Sequence, residues 1–201
     1  MKSTQLTGIR NLEMSKKIKG AAGQLAPVFL NKVKTVEKAC KAISDAGGIG
    51  IDLLVVPEAF ISGYPDWVWL VANSKGAELN DLYSELVENA ICIPDDSTEK
   101  LCRAAKTAKI NVVIGLHERN SETSNASLFN SLLFIGTEGE ILGKHRKLIP
   151  TGGERLVWAR GDGSTLHAYN TTAGKIAGLI CWENLMPLAR TAIYESGTQL
   201  L

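Results

Sequence analysis

No run in this chain approaches the roughly eighteen uncharged apolar residues that a membrane-spanning helix requires. The best, Ile49 to Val56, is eight long and contains Asp52. The first twenty residues carry Lys2, Arg10, Lys16, Lys17 and Lys19 but no apolar core, so they lack the form of a secretory signal. An excess of either charge is also missing. Twenty-two Lys and Arg face 21 Asp and Glu, which leaves +1 and no electrostatic reason to expect nucleic acid or an anionic membrane as partner.

Paired cysteine spacing is absent too. Cys40, Cys92, Cys102 and Cys181 form no Cys-x-x-Cys pair, and none has a histidine nearby at metal-ligand spacing. That argues against a disulfide framework or a zinc centre and for a reduced, cytoplasmic setting. The triplets Asn125-Ala126-Ser127 and Asn170-Thr171-Thr172 then read as chance glycosylation matches. Gly161-Asp162-Gly163 lacks both a third glycine and a following helix, so a dinucleotide cradle is a poor reading.

What remains is an ordinary globular composition, 45% apolar and 21% charged over 201 residues. Residues 1–16 are patternless and read as a disordered leader. Ile18 to Ala26 reads as a weak strand. Asn31 caps a helix to about Ala46, with Val33, Val36, Ala39, Cys40 and Ile43 on one face. Leu53 to Val56 reads as a buried strand that Pro57 stops. Trp67 to Glu88 is helical with a break between Asn73 and Gly76. Asp96 with Glu99 predicts a capping box for a helix to about Lys109.

Strands follow at Asn111 to Leu116, Leu128 to Ile135 and Ile141-Leu142. Leu148 to Ser164 reads as a long loop. Thr165 to Tyr169 and Lys175 to Ile180 predict a hairpin pair. Pro187 opens a helix to about Ser196, and Thr198 to Leu201 reads as the start of another buried strand. Helices alternating with strands, then strands in series, predict an α/β (α+β) fold with helices packed on sheet faces.

Cys181 follows the apolar run Ala177 to Ile180, so it sits where a buried strand would end and a crevice would begin. Glu58 and Lys147 also follow predicted strands. A packed, inert thiol, a turn carboxylate and a solvated lysine are the plain alternatives, and spacing alone does not choose between these readings. His117, His145 and His167 lack the local context of a catalytic histidine. Glu183 reads as a carboxylate that holds neighbouring backbone or side chains.

Three segments carry a resemblance. Val56-Pro57-Glu58-Ala59-Phe60-Ile61-Ser62-Gly63-Tyr64-Pro65 resembles the glutamate motif of the nitrilase branch of the carbon–nitrogen hydrolases. Gly143-Lys144-His145-Arg146-Lys147-Leu148-Ile149-Pro150-Thr151 is similar to its lysine motif. Leu179-Ile180-Cys181-Trp182-Glu183-Asn184 is similar to its cysteine motif, and Glu154 to Trp158 match the linking segment. The likeness runs from about Lys17 to Leu201, which it marks as a carbon–nitrogen hydrolase domain lacking its C-terminal part.

The resemblance implies an α-β-β-α sandwich and hydrolysis of a small organic nitrile to a carboxylic acid and ammonia. No metal or organic cofactor is implied, and a full-length chain would form homo-oligomers. Cys181 would be the nucleophile, Glu58 the general base and Lys147 the stabilising cation. Glu154 would orient the lysine. From their own positions flanking the proposed catalytic residues, Tyr64 and Trp182 read as walls of an apolar substrate pocket. An amidase or carbamoylase on the same scaffold, or an inactive chain, are the alternative expectations.

Overall fold

The computed structural model describes residues 17–120 and 124–201. The leader expected over residues 1–16 lies outside the described residues. Five strands form one mixed sheet in sequential order: β1 (Gly20–Ala22), β2 (Leu53–Ile61), β3 (Asn111–Arg119), β4 (Leu128–Ile135) and β5 (Ile141–Arg146). β1, β2 and β3 run parallel, while β4 and β5 add to them antiparallel. Parallel neighbours need crossovers, and helices supply them. α1 (Lys32–Gly48) links β1 to β2, and α2 (Trp67–Leu70), α3 (Gly76–Glu88) and α4 (Asp96–Ala108) lie between β2 and β3.

α1 and α4 cover one face of this sheet. Val36, Ala39 and Ile43 of α1 and Leu101 and Ala105 of α4 are buried against Leu54, Val56, Val112, Ile114 and Leu133. On the opposite face Leu53, Val113, Leu132 and Phe134 pack against Ala173, Ile176 and Ile180. Those residues come from the small hairpin of β6 (Tyr169–Thr171) and β7 (Gly174–Ile176) and from the segment after it. Period-2 alternation thus assigns each strand residue to the helix face or to the face that carries the site. Among the described residues no helix is long and apolar enough to cross a membrane.

Several elements differ from the sequence expectation, each for a physical reason. β1 holds only three residues of the expected Ile18 to Ala26. β2 does not stop at Pro57 but continues to Ile61, and its register against β3 shifts between Val56 and Ile61. The bulge accommodates a residue without an N–H. The capping box of α4 uses Asp95 and Thr98 rather than Asp96 and Glu99: Asp95 accepts from the N–H groups of Ser97 and Thr98. β5 runs on through Lys144, His145 and Arg146, beyond the expected Ile141-Leu142. Residues Gly152–Leu156 form a 3-10 turn inside the expected loop, and the hairpin strands are short and displaced, β6 beginning at Tyr169 where the first expected strand ends and β7 ending at Ile176. The last residues make a single bridge, Leu200 to Ile176, rather than a strand. α5 (Pro187–Glu195) opens on its proline as read.

Candidate active site

The bulge in β2 presents Glu58. Ala59 within it has φ 50°, in the left-handed region that L-residues seldom occupy. Gly115 of β3 permits this packing. A Cβ there would meet the Pro57 carbonyl oxygen, the Ala59 nitrogen and, at 2.7 Å, the Glu58 Cα. The small residue is therefore required by close backbone approach, which a larger side chain would prevent.

Lys147 lies one residue past β5. Its backbone N–H donates to the Asn130 carbonyl of β4 at 2.8 Å, which extends the ladder by one rung. The solvated lysine of the plain reading is not what forms. The side chain is 1% exposed, and its ammonium donates to Glu58 Oε1 and Glu154 Oε2, each at 2.8 Å. Burial alone would lower the lysine's pKa. Its hydrogen bonds to Glu154 and Glu58 and their charges more than reverse this, and the net shift is upward. The lysine is thus a fixed cation at any working pH. Glu154 is also buried. It accepts from the Thr151 N–H at 2.6 Å and from the Tyr64 hydroxyl at 2.7 Å. Burial, then the bond to Glu154, raises the Tyr64 pKa well above that of an ordinary phenol.

Cys181 sits at the corner between extended Ile180 and a 3-10 turn over Cys181–Leu185. Its φ is 55°, again left-handed. Residues 177–180 before it lie outside any strand, a correction to the expected Lys175 to Ile180 strand, which ends at Ile176. The thiol is exposed, unlike a packed structural cysteine. Cys181 and Glu58 line one mostly apolar cleft of about 420 Å³, together with Val55, Leu132, Ile176 and Asn184.

Glu183 fixes how this corner meets the lysine segment. Its buried carboxylate accepts from the Leu148 N–H and the Ile180 N–H, both at 2.6 Å, and pairs with His145 Nε2 at 3.0 Å. The residue after Lys147 and the residue before Cys181 are therefore held by one side chain, as the sequence reading of Glu183 expected. Tyr64 joins the lysine cluster through Glu154. Trp182 stands apart: it is 62% exposed and lies beside Ile149, Thr151 and Met186, outside the walls of the Glu58–Cys181 cleft.

One residue of the site escaped the sequence reading, and a second, His117, takes the non-catalytic place its context suggested. Asn130 of β4 donates from Nδ2 to Glu58 Oε1 at 2.6 Å. The signal was present as a polar Asn-Ser pair inside an otherwise apolar strand. His117 of β3 is fully buried opposite Asn130 in the ladder. Its Nε2 donates to the Gly63 carbonyl at 2.8 Å, and its Nδ1 accepts from Trp158 Nε1–H at 2.9 Å. Trp158 in turn meets Tyr64 edge-on, with ring centroids 5.6 Å apart. Both imidazole nitrogens are thus committed to a neutral ring. Among the described residues no group of His, Cys, Asp and Glu could hold a metal ion.

Burial drives the His117 pKa down to about 4 from the ordinary 6.5. Between those values the unfolded chain binds more protons than the folded one, so stability falls as pH falls. Urea unfolding at pH 7.5 and pH 5 should show a loss of roughly 2 kcal/mol from this residue. The same pH step in His117→Gln should cost about 2 kcal/mol less. Equal losses in the two proteins would contradict the buried neutral ring.

The carbon-nitrogen hydrolase family model matches residues 19–201. A protein named Nitrilase 2 from an unknown prokaryotic organism is 42% identical over 88% of this chain and 55% of its own length. The aliphatic nitrilase of Sinorhizobium fredii is 40% identical over 92% of this chain and 59% of its own. The chain thus spans little more than half the length of these curated relatives. Among solved structures, Saccharomyces cerevisiae Nit3, a member of branch 10 of the nitrilase superfamily, superposes with a TM-score of 0.71 at 22% identity. That match covers 90% of this chain and 61% of Nit3. An amidase from Nesterenkonia sp. gives 0.68 at 18% identity, covering 91% of this chain and 63% of its own. These two structural matches show the fold.

Proposed function

The chain belongs to the carbon-nitrogen hydrolase family, and on that footing we propose that it is a nitrilase acting through Cys181, Glu58 and Lys147. One observation carries the reading: Glu58 and Glu154 converge on a single buried ammonium, and Glu58 shares a cleft with an exposed thiol. The relatives named nitrilases at 40–42% identity support the choice of a nitrile over other carbon–nitrogen bonds.

Glu58 takes the thiol proton and sulfur attacks the nitrile carbon. The nitrogen gains negative charge, which the Lys147 ammonium meets. The proton held by Glu58 passes to that nitrogen and a thioimidate forms. Glu58 then activates a water that adds to the same carbon. Ammonia leaves, a thioester remains, and a second water releases the carboxylic acid and restores the thiol. Expulsion of the thiol from the first tetrahedral species would instead release the amide. Glu154 and Tyr64 keep the ammonium in place throughout.

An amidase would use the same side chains on a carbonyl carbon, so substrate preference separates the two. A small aliphatic nitrile and its matching amide, offered separately to the purified chain, should both be followed by ammonia release. The nitrile is expected to turn over faster, with acid as the main product. Faster turnover of the amide would replace the nitrilase reading with the amidase one.

A further inference from the structure

We propose that Asn130 is a positioning residue that commits Glu58 Oε1 to the site's scaffold and leaves Oε2 as the oxygen that carries the proton. The inference rests on the reading of Glu58 as general base and assigns the atom that acts.

Glu58 Oε1 accepts two hydrogen bonds, from Asn130 Nδ2 at 2.6 Å and from the Lys147 ammonium at 2.8 Å. Among the described residues no hydrogen bond ends on Oε2. A carboxylate oxygen that already accepts from a cation and an amide has its charge stabilised and its lone pairs occupied. It is the poorer base of the two, so a proton from Cys181 or from water goes to Oε2. Glu58 is 25% exposed and lines the cleft, so the carboxylate has an accessible side.

Asn130 meets this demand at a cost to itself. It is 1% exposed, yet its Oδ1 has no hydrogen-bond partner. An asparagine placed for the fold alone would satisfy both ends of its amide, as buried polar groups nearly always do. Turning the amide over would set its oxygen against the carboxylate, so the orientation is dictated by Glu58. Asparagine is also a poor strand former, and here it interrupts the apolar alternation of β4 at a position facing the site. Its backbone carbonyl receives the Lys147 N–H as well. One residue therefore touches both partners of the ion pair.

The test is Asn130→Leu and Asn130→Asp in the full chain, with nitrile turnover, melting temperature and solvent isotope effect measured together. Aspartate keeps the shape of asparagine, so it carries the comparison if leucine disturbs the strand. Loss of the donor should lower kcat on the order of tenfold in the leucine variant and further in the aspartate variant. KM should stay within about twofold, because the amide touches no substrate. The solvent deuterium isotope effect on kcat should rise as proton transfer becomes limiting. A rise in KM with kcat unchanged, or parental values for both, would overturn the assignment. Cys181→Ala measured alongside separates the two ideas. If it is silent while both Asn130 variants match the parent, only the role of Asn130 fails. If it still releases ammonia, the thiol chemistry itself fails.

Discussion

Lys147→Met should remove both activity and a large part of the stability. The ammonium is enclosed and donates to two carboxylates at 2.8 Å. Methionine matches the volume of the stem but leaves Glu58 and Glu154 facing each other without a cation. Breaking one partner out of a buried ion pair costs about 3–5 kcal/mol, because the remaining charge stays desolvated. For a chain of this size that corresponds to a fall in melting temperature on the order of 10 °C. Glu154 keeps its bonds from Thr151 and Tyr64, so part of the cluster survives. Loss of the charge that meets the developing nitrogen anion should lower kcat on the order of a thousandfold. Calorimetry and ammonia release on one preparation check both halves. A variant that melts like the parent would show that the lysine is not enclosed as described.

Cys181→Ala should separate chemistry from stability. The thiol is exposed at a left-handed corner, and alanine has the same backbone preferences there. Little packing is lost, so the melting temperature should stay within about 2 °C. Nitrile turnover should fall by at least about four orders of magnitude, since removal of a covalent nucleophile leaves only binding and electrostatics. The contrast with Lys147→Met is informative. On the proposed mechanism one side chain would serve the reaction alone, and the other the reaction and the fold.

Local elements were largely legible in the sequence. β4 has its expected ends, Asn31 caps α1 through its side chain, and Pro187 opens α5. These depend on neighbours a few residues apart, where periodicity and capping chemistry act. The misreadings share a cause in partners that lie far along the chain. Pro57 ends a regular strand by the local rule, but here a bulge against Gly115 carries the strand past it. Lys144-His145-Arg146 lies beyond the strand expected at Ile141-Leu142, yet it continues β5 and alternates across the sheet. Lys144 and Arg146 reach the buried Glu118 on the helix face, while His145 reaches Glu183 on the other.

The site behaved in the same way. Glu58, Lys147 and Cys181 are too far apart for spacing to join them, so only the resemblance of their surrounding motifs did. Asn130 stayed hidden because nothing near it in sequence shows that strand pairing sets it opposite His117 and beside Glu58. Trp182, expected next to the substrate because it follows Cys181, lines a separate surface hollow with Ile149, Thr151 and Met186.

The central claim is that Cys181 alone becomes covalently attached to the substrate carbon. Acid quenching during nitrile turnover, followed by intact-mass measurement and peptide mapping, tests it directly. One acyl or imidoyl adduct per chain is expected, located on the peptide containing Cys181 and lost in Cys181→Ala. Turnover with no adduct in the quenched sample, or an adduct on Cys40, Cys92 or Cys102 instead, would contradict it.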